Sequence, residues 1–254
     1  MIKKIISKKL QLSDLPDCLR KYIDPDTFQR DLFIRECASE TPPNVFILDA
    51  GAGECQYKKY FQKNNYVACD LAVGEESWDY KKLNVISNLE KLPFKDNTFN
   101  SIICIQVLEH VKEPQLVLHE LYRVLKYNGY IYLSVPQGWC VHQAPFDFYR
   151  YTNYGIKYLL EKVNFSIQYI RPTTGYFGYL ANRLIFLPKI TFWTIKRKYV
   201  RFLLLPFEFL SYIIFILVLP IILNMCDRFD KQKDFTLNYL VKAQKSDIKR
   251  ELKL

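Results

Sequence analysis

The sequence lacks the patterns that mark disulfide-rich, zinc-binding and secreted proteins. Its seven cysteines are odd in number and widely spaced, and no CxxC pair occurs. We therefore expect small buried thiols in a reducing compartment and no metal centre. The N-terminal stretch MIKKIISKKLQL has neither a long apolar core nor a small-residue cleavage site, so we expect no secretory signal.

Internal repeats and low-complexity tracts are also absent, and half of the residues are hydrophobic. A chain of 254 residues with this composition can bury a large core, which excludes a disordered protein. The formal net charge is +10, which suits anionic partners such as nucleic acid, a membrane surface or an anionic substrate.

The most informative stretch is a predicted strand, Val45–Asp49, followed by Gly51 and Gly53 and a predicted helix, Glu54–Phe61. Glycines let the backbone turn tightly and approach a ligand closely. The carboxylate of Asp49 would repel a pyrophosphate cofactor but would attract a cofactor with an ammonium and a sulfonium group. The alternative is an ordinary strand–helix turn with an Asp at the strand end.

Asp70 ends the next predicted strand, at the spacing where a doubly wound fold places a carboxylate on ribose hydroxyls. Three later stretches follow in order: LPFKDNTF at 92–99, VLEHV at 107–111 and ELYRVLKYNG at 120–129. Together they resemble the motifs of class I S-adenosylmethionine-dependent methyltransferases, in the small-molecule, methyltransferase type 11-like branch. The loop departs from the family at Cys55, where many relatives carry a third glycine.

The resemblance implies an α/β, Rossmann-like, doubly wound fold with a seven-stranded, mostly parallel sheet and an antiparallel last strand. It also implies S-adenosyl-L-methionine as cofactor, held by seven residues: Asp49, Gly51, Gly53, Asp70, Leu71, Asn88 and Gln106. Asp49 and the glycines would hold the methionine end, and Asp70 the ribose. At the adenine end, either Asn84 or Asn88 matches the position where relatives often have an Asp.

Four segments are expected along the chain: an N-terminal helical cap over 1–43, a methyltransferase core over 44–170, an insertion over 171–234, and a last core strand and tail over 235–254. Within the core, the pattern predicts an amphipathic helix over Gln115–Leu125 and a helix capped by Thr152. The strands Phe165–Ile170 and Phe235–Ala243 would pair as the family's antiparallel hairpin.

The insertion is expected to be helical and hydrophobic, because Phe202–Met225 contains one charged residue, Glu208. Pro206 and Pro220 should break or kink a helix there. Since the flanking strands would share one sheet, the chain must return to the side it left. An interfacial helix, a re-entrant hairpin and a buried apolar lid remain as alternatives.

Basic residues precede the apolar run, interleaved with aromatic residues: Lys189, Lys196, Arg197, Lys198 and Arg201. This combination is typical of an interfacial anchor on anionic lipid. We therefore expect a cytoplasmic protein with peripheral contact to the inner face of the membrane through 189–225. The alternatives are a solvated basic loop beside a buried helix, or a homodimer that covers the apolar surface.

The residues that contact the methyl acceptor, here called the acceptor side, are expected in the loop Val141–Thr152. This loop resembles a segment of methyltransferases associated with polysaccharide and glycolipid assembly. His142, Asp147 and Arg150 are the candidate catalytic residues. A histidine can take a hydroxyl proton near neutral pH, and an arginine can grip phosphate or carboxylate. Alternatively, these polar groups satisfy one another within an ordered loop.

The resemblance therefore predicts a methyltransferase acting at oxygen on a glycolipid, a polysaccharide precursor or another small or lipid-linked acceptor. Methylation of a quinone-type lipid ring and a non-catalytic scaffold with the cofactor fold are the alternatives. Nucleic acid fits less well as a substrate, since the cations adjoin an aliphatic run. The Asn/Asp-Pro-Pro-aromatic motif of base-amino methyltransferases is also absent.

Overall fold

The computed structural model describes residues 16–74, 77–193 and 198–246. These residues divide into two compact units. One holds residues 16–29 and 173–237, and the other holds residues 30–172 and 238–246. The division runs through the expected N-terminal cap, because residues 16–29 group with the insertion.

The larger unit is built on a seven-stranded sheet in the order β3-β2-β1-β4-β5-β7-β6. Its strands are β1 Phe46–Ala50, β2 Asn65–Asp70, β3 Val85–Ile86, β4 Phe99–Ile105, β5 Leu125–Pro136, β6 Phe165–Pro172 and β7 Asn238–Lys245. Neighbouring strands are parallel except for β7, which runs antiparallel to both β5 and β6. The predicted fold class is thereby confirmed.

The described helices span both units. They are α1 Asp17–Ile23, α2 Pro25–Glu40, α3 Pro114–Val124, α4 Asn153–Lys162, α5 Tyr176–Leu184, α6 Leu187–Trp193, α7 Lys198–Tyr212 and α8 Leu219–Cys226. Short 3₁₀ turns lie at Lys58–Tyr60, Tyr80–Lys82, Leu108–His110 and Asp227–Phe229, and a π-helical turn lies at Ile213–Val218.

Two apolar layers cover the sheet. Phe33 of α2 packs in one layer and Leu118 of α3 in the other, and both side chains are fully buried. Successive residues of β4 point to opposite layers, with Ile102 on the α3 side and Ile103 on the α2 side. Thr152 caps α4 as predicted, because its hydroxyl oxygen accepts a hydrogen bond from the Gly155 N–H.

The helix predicted at Glu54–Phe61 is wrong. The chain there forms turns and the 3₁₀ turn Lys58–Tyr60. Cys55 has a φ of 60°, in the left-handed region, which a right-handed helix does not accommodate. The last strand also begins later than predicted, at Asn238, because the Leu237 N–H donates to the Thr174 hydroxyl and does not join the sheet.

The smaller unit holds a long apolar helical run, Phe202–Phe229, of 28 residues. Its most apolar stretch has a mean hydropathy of 2.5, and 6% of that stretch is buried. The run stays helical through Pro206 and into Pro220, contrary to the expected break. The π-helical turn Ile213–Val218 ends just before Pro220, where the missing N–H and the ring disturb the regular helical bonds.

The run is one continuous helix, which excludes a re-entrant hairpin. Its apolar side chains are mostly exposed, which excludes a lid buried against the described residues. At about 1.5 Å per residue the run is roughly 42 Å long, so it is long and apolar enough to cross a membrane. The strands β6 and β7 on either side of the insertion are paired in one sheet.

Candidate active site

A cavity of about 430 Å³ opens at the carboxyl ends of β1, β2 and β4. The strand order reverses between β1 and β4, which is where doubly wound sheets bind ligands. The volume falls within the roughly 300–1,000 Å³ of small-molecule sites. Its wall includes Gly51 and Gly53 after β1, Asp70 and Leu71 after β2, and Gln106 after β4.

The glycine loop needs residues without a side chain. Gly51 has a φ of 81°, and a Cβ built on it would lie 2.3 Å from Cγ2 of Val107. Gly53 has a φ of 49°. Cys55 has a φ of 60°, in the left-handed region that glycine adopts more readily than other residues.

Asp70 joins the glycine loop to the second strand. Its Oδ2 accepts a hydrogen bond from the Gly53 N–H at 2.9 Å, and its Oδ1 accepts one from the Ala72 N–H at 2.8 Å. Each carboxylate oxygen keeps further lone-pair capacity toward the cavity. Asp70 can therefore accept hydroxyl donors from a bound ligand while it fixes the loop.

Asp49 does not lie in the cavity wall. Its side chain is 1% exposed and accepts a hydrogen bond from the Tyr66 hydroxyl. Burial raises the pKa of Asp49 to about 7, the charge of Asp70 adds to the rise, and the Tyr66 hydrogen bond opposes it. The direct contact expected between Asp49 and the cofactor is therefore replaced by a carboxyl group buried behind the wall.

The two asparagines proposed for the adenine end have different surroundings. Asn88 lines the cavity. The Oδ1 of Asn84 instead accepts a hydrogen bond from the Ala68 N–H at 2.9 Å. Leu71, predicted to pack on the adenine, also lines the cavity, together with Trp78, which the sequence analysis did not single out.

Gln106 is held in a strained conformation at the cavity floor. Its φ is 57°, and its backbone N–H donates to the Ser134 carbonyl at 2.9 Å. Its Nε2 donates to the Ser134 hydroxyl, also at 2.9 Å. Non-glycine residues with a positive φ are concentrated at functional sites, since the surrounding structure must hold them there.

Two histidines from different elements meet in the cavity wall. The rings of His110 and His142 lie 4.7 Å apart at 79°. The Nδ1 of His110 lies 2.5 Å from the Phe146 carbonyl, and the Nδ1 of His142 lies 3.1 Å from the Cys140 carbonyl. Because a carbonyl only accepts, the Nδ1 atoms of both rings are the donors in these contacts, and in a neutral ring Nε2 would then carry the lone pair.

Asp147 and Arg150 stand behind His142 and do not line the cavity. All five N–H donors of the Arg150 guanidinium are bound: two to Asp147, and three to the carbonyls of Trp139, Cys140 and Tyr149. The hydrogen bonds from Arg150 hold the pKa of Asp147 well below its usual range. The expectation that Arg150 grips a substrate anion is therefore corrected, since its donors are used within the loop.

Glu109 was not predicted as a site residue. Its side chain is fully buried, and neither carboxylate oxygen has a hydrogen-bond partner. Burial raises its pKa to about 8. Its backbone carbonyl accepts hydrogen bonds from the N–H groups of Phe148 and Tyr149, which fastens the acceptor loop to the Leu108–His110 turn.

Comparisons with known proteins agree with this geometry. Residues 48–133 match a family model described as a methyltransferase domain. An uncharacterized protein of Methanocaldococcus jannaschii, MJ0638, is 32% identical over 97 residues, which cover 38% of this chain and 43% of that protein. The demethylmenaquinone methyltransferase of Streptomyces griseus is 32% identical over 99 residues, 36% of this chain and 43% of that enzyme.

The chain spans less than half the length of these curated relatives. Among solved structures, the phosphoethanolamine N-methyltransferase 2 of Haemonchus contortus in complex with S-adenosyl-L-methionine has the same fold, with a TM-score of 0.52 and 16% identity. That match covers 86% of this chain and 53% of the other. Residues 48–133 of this chain are therefore similar to a methyltransferase domain.

Proposed function

We propose that this protein transfers a methyl group from S-adenosyl-L-methionine to an oxygen of a small or lipid-linked acceptor, such as a glycolipid or a polysaccharide precursor. One observation carries the proposal: a single cavity is lined by Asp70, the glycine loop, and the side chains of His110 and His142. These groups supply cofactor recognition and a proton acceptor within one small volume.

The donor set of the cavity fits the cofactor. When bound, S-adenosyl-L-methionine supplies an electrophilic methyl group on a sulfonium. Asp70 would accept the ribose hydroxyls, Leu71 and Trp78 offer apolar surface for the adenine, and Asn88 offers an amide to its edge. Gly51 and Gly53 let the chain approach the methionine end closely.

On the acceptor side, His142 would take the hydroxyl proton on its Nε2. Asp147 and Arg150 have positioning roles in this proposal: Asp147 accepts a hydrogen bond from the backbone N–H of His142 at 2.9 Å, and Arg150 anchors Asp147. This support fixes the loop that carries the ring. A preset lone pair lowers the barrier by orientation and proton transfer.

A lipid-linked acceptor is supported by the exposed apolar helix. Phe202, Leu203, Phe207 and Phe209 of α7 are each more than 60% exposed. So large an apolar surface marks an interaction site. We propose that this helix lies on the inner face of the membrane beside exposed Lys189. Of the other cations, Lys196 and Arg197 lie outside the described residues.

A quinone-type lipid ring is the second candidate acceptor. It is supported by the similarity to the demethylmenaquinone methyltransferase, which covers 36% of this chain. Both acceptors are lipid-borne, so the apolar helix fits each. They differ in the product, since an oxygen acceptor gives a methyl ether or ester and a quinone precursor gives a carbon-bound methyl group.

The purified full chain, incubated with methyl-labelled S-adenosyl-L-methionine and a total lipid extract, tests the proposal. We expect label in the lipid fraction as an alkali-stable ether or an alkali-labile ester. We also expect a loss of about 10²–10⁴-fold in rate for His142→Ala, the usual contribution of a general base. His119→Ala is the matched control, because His119 is exposed on α3 and does not line the cavity. If no class of acceptor lipid carries the methyl label after the incubation, the proposal is contradicted.

A further inference from the structure

Three side chains in and behind the cavity wall bring potential metal ligands together. One ligand atom each from Glu109, His110 and His142 lies within 4.8 Å of the other two. Glu109 is fully buried, and neither of its carboxyl oxygens makes a hydrogen bond to a described residue. The buried Nε2 of His110 makes none either, and it lies 3.8 Å from Oε1 of Glu109. Buried polar atoms without hydrogen bonds destabilise a fold, so these atoms are suited to a ligand that satisfies them together.

The groups around the two rings are those that typically orient metal-binding histidines. His110 donates its Nδ1–H to the Phe146 carbonyl, and His142 directs its Nδ1–H at the Cys140 carbonyl. The Asp147 carboxylate also lies 3.4 Å from the Nδ1 of His142. Such partners fix the tautomer in which Nε2 is the ligand atom, and they raise its basicity.

We propose that Glu109, His110 and His142 form a binding site for one divalent first-row transition cation. Two imidazoles and one carboxylate suit Zn²⁺, Fe²⁺ or Co²⁺ better than Mg²⁺ or Ca²⁺, which prefer oxygen ligands. Metal–ligand bonds near 2.1 Å place tetrahedral ligands about 3.4 Å apart. The ligand atoms, which lie within 4.8 Å of one another, would have to move closer to bind one cation, and His142, whose side chain is 26% exposed, is the ligand with most room to move.

No metal centre was predicted from the sequence, because the cysteines are widely spaced and no CxxC pair occurs. His142 is far from the Glu109–His110 pair in sequence and reaches it only through the loop that Phe148 and Tyr149 fasten to Glu109. Where the proposed function holds, a bound cation would occupy the Nε2 lone pair that His142 uses as a base. Zn²⁺ loading should then slow methyl transfer to a hydroxyl acceptor.

Cation binding is tested on the full chain without cofactor or acceptor, so the result is independent of methyl transfer. The protein is stripped with a chelator and titrated with Zn²⁺ against a chromophoric competitor. Co²⁺ binding is followed in parallel by its visible absorption. We expect one cation per chain with the spectrum of nitrogen and oxygen ligands, and at least about tenfold weaker binding for His142→Ala and for the near-isosteric Glu109→Gln.

His119→Ala is the matched control, because it removes the remaining one of the three histidines and should leave affinity unchanged. A Cys140→Ser variant controls for the exposed thiol near His142 and should also bind normally. Absence of binding, thiolate absorption in the Co²⁺ spectrum, or equal affinity of His142→Ala and Glu109→Gln to the parent would each overturn the proposal. A folded-state spectrum of Glu109→Gln and its retained binding of S-adenosyl-L-methionine separate loss of the metal site from loss of the fold.

Discussion

Asp49 and Asp70 end neighbouring strands but meet different surroundings. Asp70 lies in the cavity wall and accepts two backbone N–H groups, of which that of Gly53 ties the loop after β1 to the end of β2. Asp49 is buried behind that wall against Tyr66. At the residue scale, the position of a carboxylate at a strand tip does not determine its role. Its role depends on how deeply the carboxylate is buried and on which hydrogen-bond donors lie near it.

The buried Asp49 makes a testable prediction about stability and pH. Its pKa rises from 3.8 to about 7 on folding, so the folded state holds a proton that the unfolded state has lost. The contribution of Asp49 to stability is therefore most favourable below pH 4 and declines as pH rises toward 7. Above pH 7, the burial of the charged Asp49 carboxylate lowers the free energy of unfolding by an amount on the order of 4 kcal/mol.

The Asp49→Asn variant should lack this dependence, because an amide oxygen still accepts the Tyr66 hydrogen bond and carries no charge. Urea unfolding of both proteins between pH 4 and pH 8 measures the difference. We expect the variant to gain relative stability as pH rises. The groups nearest to Asp49, namely Asp70, Tyr66 and Cys55, are shared by both proteins and cancel in the comparison. A difference in stability that is constant over this range would contradict the prediction.

At the scale of elements, the helical run Phe202–Phe229 is the least typical of a soluble fold. Apolar side chains cover its surface, and Glu208 is its only charged residue before Asp227. The π-helical turn lets the run continue to Pro220. An exposed apolar surface of this size marks an interaction site, for which lipid and a second copy of the chain are the two proposed occupants.

Flotation with anionic liposomes tests the proposed membrane contact of this helix. We expect the parent protein to float and the double variant Phe207→Glu/Phe209→Glu to remain at the bottom, since two carboxylates in the contact surface oppose burial in the interface. Tyr158→Glu is the matched control, because Tyr158 is 62% exposed on α4 in the other unit. Light scattering on the same samples shows whether the helix pairs two copies instead, in which case the parent is a dimer that does not float.

At the scale of the whole molecule, the seven-stranded, mostly parallel sheet with an antiparallel last strand was predicted from sequence patterns and family motifs. Short apolar runs marked the strands, and the helix over Pro114–Val124 appeared within one residue of its predicted bounds. Apolar spacing predicted a helix after the glycine loop that does not form. Cys55 lies in the left-handed conformation, which a right-handed helix does not accommodate. Backbone strain of this kind leaves no signal in composition.

The acceptor side was harder to predict than the cofactor side. Sequence placed His142, Asp147 and Arg150 in one loop, but their hydrogen bonds depend on which way each side chain turns. Arg150 uses its donors within the loop, and only His142 of the three reaches the cavity. The partner of His142 is His110, which comes from a different element and meets it only in the folded chain.

The central claim is that the cavity behind the glycine loop binds S-adenosyl-L-methionine through Asp70, and calorimetric titration tests it most directly. We predict one molecule bound per chain and at least about tenfold weaker binding for Asp70→Asn, since charge-assisted hydrogen bonds to the ribose would be lost. Asp79→Asn makes the same chemical change outside the cavity wall and should bind normally. Absence of binding by the parent protein, or equal affinity in Asp70→Asn, would contradict the account.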